Sequence, residues 1–399
     1  MIADTIQSGL AVSRPGLTAS LVTCYPGPEV YELCGHEAIR IRGIDERGEC
    51  VDSVWNYGVF DFNAPNFVYR FCKGETDYMV VGYPFAWFLP EYISRGSKVV
   101  EQDLNLTASE TATLRQMLQR NALPQNREYR YNYVLDNCST RIVEMVDSAS
   151  SADIIYPQET QFSTFRDAMR HYHDGYPWYQ LGIDVALGSG IDLPITSKQE
   201  MFVPLKLEEK ASSATFADGR PLVSVSRTLH EGAPGGSAAL PPTPFWASPM
   251  AASLAVLIAS GAVAAHDSLK ATLTKWWYAL FFLLLGVAGC ISWFLVFLSS
   301  HYATSPNILS LWLSPLQLII PGCIWARKTR PAATAMIWVN LLIVTLLLII
   351  WPFQSQSTNP ALFPMMAADL ILCGSYIFRR EGPNGNRSRS KTLKKRKKR

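Results

Sequence analysis

The chain has 399 residues, of which 48% are hydrophobic and 17% are charged. The formal net charge is +3, but residues 379–399 contain eleven Lys or Arg and one Glu, so the rest of the chain is net negative. The first 245 residues therefore have no basic stripe of the kind that nucleic-acid binding requires. The shortage of charge after residue 245 predicts a membrane-embedded half.

The first half of the chain is predicted to be one α+β domain. Alternating apolar and polar residues predict strands at Leu17–Tyr25, Ala38–Arg42 and Val51–Phe62. Helical periodicity predicts helices at Thr107–Arg120 and Ser139–Ser148. The strands come first and the helices follow, which is the pattern of an α+β fold.

Composition sets the ends of that domain. Residues 1–20 are expected to be unstructured or trimmed, and residues 21–220 are expected to form the domain. Residues 221–245 contain the run Glu-Gly-Ala-Pro-Gly-Gly-Ser and are predicted to be a linker that leads into the membrane.

Apolar stretches after residue 245 approach the ~20 residues that cross a bilayer. They are Trp246–Ala265, Trp276–Ser299, Ile308–Trp325, Ala333–Phe353 and Ala361–Phe378. Their connections are alternately basic and uncharged, and the positive-inside rule assigns the basic ones, with the tail 381–399, to the cytoplasm. We therefore predict five transmembrane helices within residues 246–380 and an extracytoplasmic N-terminal domain. Asp369, in the last stretch, should face the bundle interior in a structural or a functional role.

One feature opposes this orientation. Residues 1–20 lack the apolar core of a secretory signal peptide. A signal upstream of this start, or a trimmed start, would place the domain outside. A first apolar stretch that does not span would instead leave the domain in the cytoplasm. We expect the outside location.

Cys138 is the candidate nucleophile. Asp136 or Asn137 is placed to cap a helix whose first turn begins at Cys138, and the helix dipole then favours a thiolate there. Backbone N–H groups of the same turn are suited to an oxyanion hole. The alternative is a small buried cysteine without a catalytic role. The five cysteines before residue 245 have no zinc spacing, and they allow up to two disulfides and one free thiol. No metal or cofactor is expected.

His36 is the candidate base. It opens the alternating strand His-Glu-Ala-Ile-Arg-Ile, so its ring projects from one face and can meet Cys138. A His on an early strand and a Cys on a later helix is the order of circularly permuted papain-like thiol enzymes. Such sites use a third, polar residue to orient the imidazole, and Asn56 on the following strand is the candidate. A structural role for His36 is the alternative.

Motifs between residues 20 and 205 are shared, in order, with a known family. They are Thr23-Cys-Tyr-Pro-Gly-Pro-Glu-Val-Tyr-Glu-Leu-Cys-Gly-His-Glu-Ala-Ile-Arg, Trp55-Asn-Tyr-Gly-Val-Phe-Asp-Phe, Phe71-Cys-Lys-Gly-Glu-Thr-Asp-Tyr, Val100-Glu-Gln-Asp-Leu-Asn-Leu-Thr and Tyr129-Arg-Tyr-Asn-Tyr-Val-Leu-Asp-Asn-Cys-Ser-Thr-Arg. In these segments the chain resembles the Lnb N-terminal periplasmic domain family, and a multi-span C-terminal anchor suits that family.

The resemblance implies a permuted papain-like domain in the bacterial periplasm. It also implies a lipoprotein N-acyltransferase, which moves a fatty acyl chain from a phospholipid to the α-amino group of a diacylated lipoprotein. The family's Gly-His falls on His36 and its Asn-Cys on Cys138. Cys34 departs from the family pattern and puts a second thiol beside His36, where an inhibitory or redox-linked role is open.

Three further residues are predicted to bind substrate. Tyr57 lies beside Asn56 in the predicted strand. Arg40 and Arg141 are candidates for contacts to a phosphate head group, and each is equally suited to a structural ion pair.

Two other functions fit the same residues. A thiol hydrolase, either a lipase or a cell-wall amidase or peptidase, would use the same Cys-His pair with water as the acceptor. A non-catalytic polytopic scaffold would use Cys138 and His36 only as structural residues. Loss of function in a Cys138→Ala variant separates both enzymes from the scaffold.

Overall fold

The computed structural model describes residues 16–27, 29–61, 63–233 and 243–381. Residues 1–15 and 382–399 lie outside these ranges, whereas residues 16–20 of the predicted unstructured N-terminus lie in the strand Gly16–Cys24. The chain divides into two compact units. The sheet unit comprises residues 1–64, 76–161 and 195–239, and the membrane unit comprises residues 65–75, 162–194 and 240–399.

A seven-stranded antiparallel sheet is the centre of the sheet unit. The described strands are β1 Gly16–Cys24, β2 His36–Ile44, β3 Cys50–Val59, β4 Asp77–Pro84, β5 Val99–Leu104, β6 Glu128–Arg130, β7 Ile154–Ile155, β8 Thr215–Phe216 and β9 Val223–His230. The strand order in the large sheet is β6-β4-β3-β2-β1-β5-β9, and β7 pairs with β8 in a separate ribbon. The three predicted strands therefore form as neighbours, because short connections favour antiparallel pairing of consecutive strands.

Helices cover both faces of the sheet and continue through the membrane unit. The described α-helices are α1 Phe67–Lys73, α2 Phe85–Ser94, α3 Ala108–Asn121, α4 Cys138–Ala149, α5 Phe165–Tyr172, α6 Pro177–Ala186, α7 Ser197–Glu200, α8 Pro204–Ser213, α9 Pro249–Lys270, α10 Lys275–Trp293, α11 Ile319–Cys323, α12 Arg330–Ile350 and α13 Leu362–Glu381. Thr107 caps α3 in a reciprocal capping box with Glu110, at the start that the sequence predicts.

The alternation of side chains along β1 to β3 produces two separate cores. One face packs Leu21, Ile39 and Trp55 against α3, α4 and α8. The opposite face packs Val22 and Val54 against aromatic side chains of α2. Because a strand directs alternate residues to opposite faces, a residue on β2 belongs to one core or the other according to the parity of its position.

The predicted linker is shorter than residues 221–245. Val223–His230 forms β9, which pairs with β5 at the edge of the sheet, and residues 234–242 lie outside the described ranges. The segment Val-Ser-Val-Ser-Arg-Thr-Leu alternates apolar and polar residues, as a strand with one polar face does. It was assigned to the linker because the Gly- and Pro-rich run follows it closely in the sequence.

Among the described residues, four helices are long and apolar enough to cross a bilayer. They are α9, α10 with its extension to Leu298, α12 with its extension to Phe353, and α13. The third predicted stretch differs, because it folds as short helical pieces between Ile308 and Cys323. Pro315 and Pro321 explain the breaks, since proline has no N–H to donate and clashes with the preceding turn.

A glycine on α10 allows the broken segment to approach closely. A Cβ atom on Gly289 would lie 2.3 Å from the carbonyl carbon of Ser314. Only glycine permits this contact between backbones, and close helix contacts of this kind stabilise membrane bundles.

Asp369 is fully buried and holds the broken segment in place. Trp312 donates its indole N–H to Oδ2 of Asp369 at 2.7 Å, and Asn340 donates to Oδ1 at 2.6 Å. The Cys373 thiol donates to the same Oδ1 at 3.2 Å. The carboxyl group therefore joins the broken segment, α12 and α13, and this geometry favours the structural role over the functional one.

We expect Asp369→Leu to destabilise the membrane unit, because it leaves the buried donors of Trp312 and Asn340 without an acceptor. The expected cost is roughly 1–3 kcal/mol of unfolding free energy. Asp369→Asn keeps one acceptor oxygen and should cost less. Thermal unfolding of the full chain in detergent measures the difference, and equal midpoints for the two variants would contradict the assignment.

The membrane unit also contains a segment that the sequence assigns to the N-terminal domain. Within residues 162–194, Arg166 is fully buried and bonds to Asp184 at 3.1 Å and to Asp192 at 2.8 Å. Asn359, which follows α12, donates to Asp184 at 3.2 Å. These bonds attach α5 and α6 to the ends of the membrane helices, so residues 21–220 do not form a single unit.

Candidate active site

The first residue of α4 is Cys138, and Asn137 caps this helix. The N–H of Thr140 donates to Oδ1 of Asn137 at 3.0 Å, and the N–H of Asn137 donates to the Thr140 hydroxyl at 2.7 Å. The Asn137 amide also donates to the carbonyls of Tyr133 and Phe202. Of the two predicted caps, the structure selects Asn137, which fixes the sulfur at the positive end of the helix dipole.

His36 begins β2 and lies against Asn56 of β3. The two strands pair antiparallel, with Ala38 opposite Asn56, so the two side chains are near neighbours on the sheet. His36 Nε2 lies 2.6 Å from Asn56 Oδ1, and the Asn56 amide donates to the Tyr83 hydroxyl at 3.0 Å. The imidazole is also stacked on Tyr92, with 6.0 Å between ring centroids and 10° between planes. Asn56 and Tyr92 together fix the plane of the ring.

Cys138 and His36 lie close enough for each side chain to shift the pKa of the other. Because Nε2 is directed to Asn56, Nδ1 is the ring nitrogen that remains for the sulfur. Burial of the sulfur opposes ionisation, but the nearby His36 outweighs it and lowers the pKa of Cys138. Burial likewise opposes the charged form of His36, yet the facing sulfur and the bond to Asn56 raise the pKa of the imidazole. Both shifts are in the direction that stabilises the thiolate and the imidazolium.

Two further groups stabilise the thiolate. The backbone N–H of Glu37 and the Ser139 hydroxyl are both close enough to the sulfur to lower the pKa of the thiol. Ser139 is fully buried, and its hydroxyl has no conventional hydrogen-bond partner. A buried hydroxyl beside the sulfur is suited to stabilising negative charge there.

The other thiols near this site differ from Cys138. All eight cysteines lie in the described residues and are free, so neither of the two disulfides that the cysteine count allowed is present. Burial raises the pKa of Cys34 to about 12, although the bond of its sulfur to the Tyr133 hydroxyl at 3.1 Å acts in the other direction. Burial also raises the pKa of Cys24 well above its ordinary value. Both therefore stay protonated at neutral pH, and Cys138 is the thiol of the three that is suited to be a nucleophile.

The lowered pKa of Cys138 and the raised pKa of His36 predict how the rate of thiol alkylation depends on pH. The rate for Cys138 with iodoacetamide should have its midpoint below pH 9.0, the ordinary thiol value, because the lowered pKa keeps the thiolate populated until the pH falls through it. In His36→Gln the imidazolium is lost and burial dominates, so the midpoint should rise. Mass spectrometry of the Cys138 peptide measures both profiles. Identical midpoints in the two chains would contradict the ion pair.

Sequence reasoning missed two residues beside the sulfur. Gly58 has φ +90°, at an irregularity in the pairing of β3 with β4, and a Cβ atom there would lie 4.0 Å from that of Cys138. Tyr131 is the other neighbour, and its ring stacks on Tyr78 at a centroid distance of 4.3 Å. The Gly within the predicted strand Val51–Phe62 was the available signal, since an isolated strand glycine often marks a bulge.

Each of the three residues predicted to bind substrate has partners within the protein. Tyr57 is buried in the core, and its hydroxyl accepts from Asn121 at 3.0 Å. Arg40 bonds to Asp52 at 2.7 Å and to Glu101 at 3.1 Å. Tyr57 is therefore packed in the core of the sheet unit. Arg40 forms the structural ion pairs that the sequence allowed as its alternative role.

Arg141 is likewise paired, one turn after Cys138. It forms a two-pronged ion pair with Asp136, and its guanidinium lies 4.4 Å from the centroid of the Tyr129 ring. This contact braces the segment that precedes α4, so the structure places Arg141 in a supporting position.

A groove of about 430 Å³ lies along α4. Its lining includes apolar side chains of Val134, Leu135, Val143 and Met201, and Glu144 is among its polar residues. The groove begins within one turn of Cys138, since Thr140 also lines it.

Comparison with known families is consistent with the two-part organisation. A family model described as Lnb N-terminal periplasmic domain matches residues 11–171, and one described as Lnb transmembrane domain matches residues 242–381. Searches of curated proteins and of solved structures found no match. The mixed α/β domain and the membrane helices are thus observed, whereas the permuted papain-like arrangement stays a prediction.

Proposed function

Because the chain belongs to the Lnb family of membrane-anchored, lipoprotein-processing proteins, we propose that it is an N-acyltransferase that uses Cys138. Its periplasmic domain and membrane helices make it an inner-membrane protein. The observation that carries the proposal is the placement of Cys138 at the capped start of α4, within electrostatic range of a His36 side chain that Asn56 holds in position. The donor is a phospholipid, and the acceptor is the α-amine of a diacylated lipoprotein.

The first half-reaction forms a thioester on Cys138. The thiolate attacks the carbonyl carbon of a phospholipid ester, and the bond to the glycerol oxygen breaks. The His36 imidazolium gives its proton to that oxygen, so the lysophospholipid leaves as a neutral alcohol. The N–H groups of Cys138 and Ser139 point from the start of α4 and are proposed to hold the carbonyl oxygen as it gains charge.

The second half-reaction transfers the acyl chain to nitrogen. The acceptor α-amine attacks the thioester carbonyl, His36 takes a proton from the amine, and the Cys138 thiolate leaves. A thioester reacts with amines more readily than an oxygen ester does, which accounts for a cysteine at this position. The groove along α4 is proposed to hold the peptide that follows the acceptor's lipidated cysteine.

Asn56 is proposed to position His36 rather than to react. Replacing Asn56 by Ala should lower kcat about 10- to 100-fold with little change in KM, because the ring loses its orienting bond while both reacting groups remain. Asn56→Asp restores an acceptor and should recover part of the rate. Initial rates with saturating lipopeptide measure the effect, and an equal loss in both variants would contradict a positioning role.

The products that accumulate in cells test the function itself. Bacteria that lack their own N-acyltransferase should make triacylated lipoprotein N-termini when they express this chain, as measured by the mass of the lipopeptides. Diacylated lipopeptides alone, with the chain verified in the membrane, would contradict the proposal. Release of free fatty acid under the same conditions would indicate the hydrolase instead.

A further inference from the structure

The connection between β3 and β4 leaves the sheet unit. This connection contains α1, and residues 65–75 belong to the membrane unit. β3 also carries Asn56, so the chain that contributes to the site continues directly into this segment. The sheet itself does not require this long connection, because a short turn is enough to join two consecutive antiparallel strands.

Hydrogen bonds fix α1 to the end of a membrane helix. The N–H of Ser300 donates to the Lys73 carbonyl at 2.7 Å, and His301 Nε2 lies 2.9 Å from the Phe71 carbonyl oxygen. Ser300 and His301 follow one residue after Leu298, where the α10 span ends. The uncharged connection after this span is the periplasmic one by the positive-inside rule, so α1 lies at the periplasmic end of α10.

Apolar side chains of α1 are exposed at this level. Val68 is 72% exposed, Tyr69 58% and Phe71 48%, and no residue of α1 is buried. The end of α10 and the loop after it expose Phe297 and Tyr302 by more than half as well. A patch of this kind is costly in water, whereas aromatic residues are enriched where a protein meets the lipid head groups.

We propose that α1 is an interfacial helix that inserts into the periplasmic leaflet and binds phospholipid. The occupant follows from the position, because α1 is bonded to the residues after a bilayer-spanning helix, and apolar side chains are exposed both on α1 and at that end of the helix. Arg70 and Lys73 are on the same helix, and cationic side chains at this depth extend towards lipid phosphates. The segment thereby couples the strand that carries Asn56 to the leaflet that contains the acyl donor.

The position of α1 is measurable without any activity. Cys72 lies on α1 and Cys50 begins β3, and both are exposed. The full chain, with Cys138 and the other exposed cysteines replaced by Ala, is labelled with a nitroxide at Cys72 or at Cys50. It is then placed in vesicles of phosphatidylethanolamine and phosphatidylglycerol. Oxygen, which concentrates in lipid, should accelerate the relaxation of the Cys72 label more than a water-soluble nickel complex does. For the Cys50 label the nickel complex should have the larger effect. The same aqueous profile at both positions would overturn the proposal.

A second measurement, which rests on the proposed acyl transfer, tests lipid binding by α1. Val68→Asp with Phe71→Asp should reduce transfer from bilayer phospholipid at least tenfold, but leave transfer from a soluble short-chain phospholipid unchanged. Ile155→Asp, at an exposed position of the β7–β8 ribbon, is the matched control and should change neither. If the double variant keeps the same fraction of the wild-type rate with both donors, lipid binding by α1 is contradicted. Absence of transfer in the wild-type chain would count against the proposed function and leave the label result standing.

Discussion

The Cys138→Ala variant should lose at least about 10³-fold in the rate of N-acyl transfer. The sulfur is the atom that forms the acyl-enzyme, and no neighbouring thiol is suited to replace it. Cys34 and Cys24 both lie within electrostatic range of Cys138, but their raised pKa values keep them protonated. The variant should fold normally, because alanine removes one buried sulfur and keeps the Asn137 capping box.

Purified full-length chains in phospholipid vesicles, with a diacylated lipopeptide as acceptor, provide the comparison. Cys50→Ala is the matched control, since Cys50 is exposed and is not among the groups that shift the pKa of Cys138 or His36. It should retain the wild-type rate. A wild-type rate of transfer in Cys138→Ala would contradict the assignment of Cys138 as the nucleophile.

The His36→Gln variant should lose about 10²–10⁴-fold in the rate of transfer. Glutamine retains a hydrogen-bonding group at this position, but it cannot gain or lose a proton. Both half-reactions are therefore affected, because the leaving oxygen of the first needs a proton and the amine of the second must lose one. In addition, burial without the facing imidazolium shifts Cys138 towards the neutral thiol.

The two half-reactions separate this effect from a general loss of structure. Rates of thioester formation and of aminolysis, measured in single turnovers, should both fall in His36→Gln. The matched control is His230→Gln, since His230 lies at the end of β9 and bonds to the Ser97 carbonyl. A normal single-turnover rate in His36→Gln would contradict the assignment of His36 as acid and base.

Local patterns predicted the elements that position the site. The alternation after His36 and the cap before Cys138 are both readable in the sequence, and the structure places β2 and α4 where these patterns indicate. The structure also places Asn56 on His36, as the order of strands suggested. The catalytic roles of these three residues stay predictions until the variants are measured.

Features that depend on distant partners were not predictable. Arg40 acquires its ion-pair environment from Glu101, sixty-one residues away, and no local pattern reports such a pairing. The place of residues 65–75 in the membrane unit was not predictable either, since α1 bonds to His301, which is 230 residues away from Phe71 in the chain. The third apolar stretch had the composition of a span, but its prolines made short pieces the stable form.

Direct detection of the acyl-enzyme tests the central claim most directly. The full chain is incubated with phospholipid in the absence of an acceptor amine, digested, and analysed by mass spectrometry. The Cys138 peptide should carry the mass of one fatty acyl chain, and neutral hydroxylamine should remove it, as is characteristic of a thioester. Addition of a diacylated lipopeptide should transfer the same chain to its α-amine. An unmodified Cys138 in a preparation that still produces triacylated lipopeptide would contradict the account.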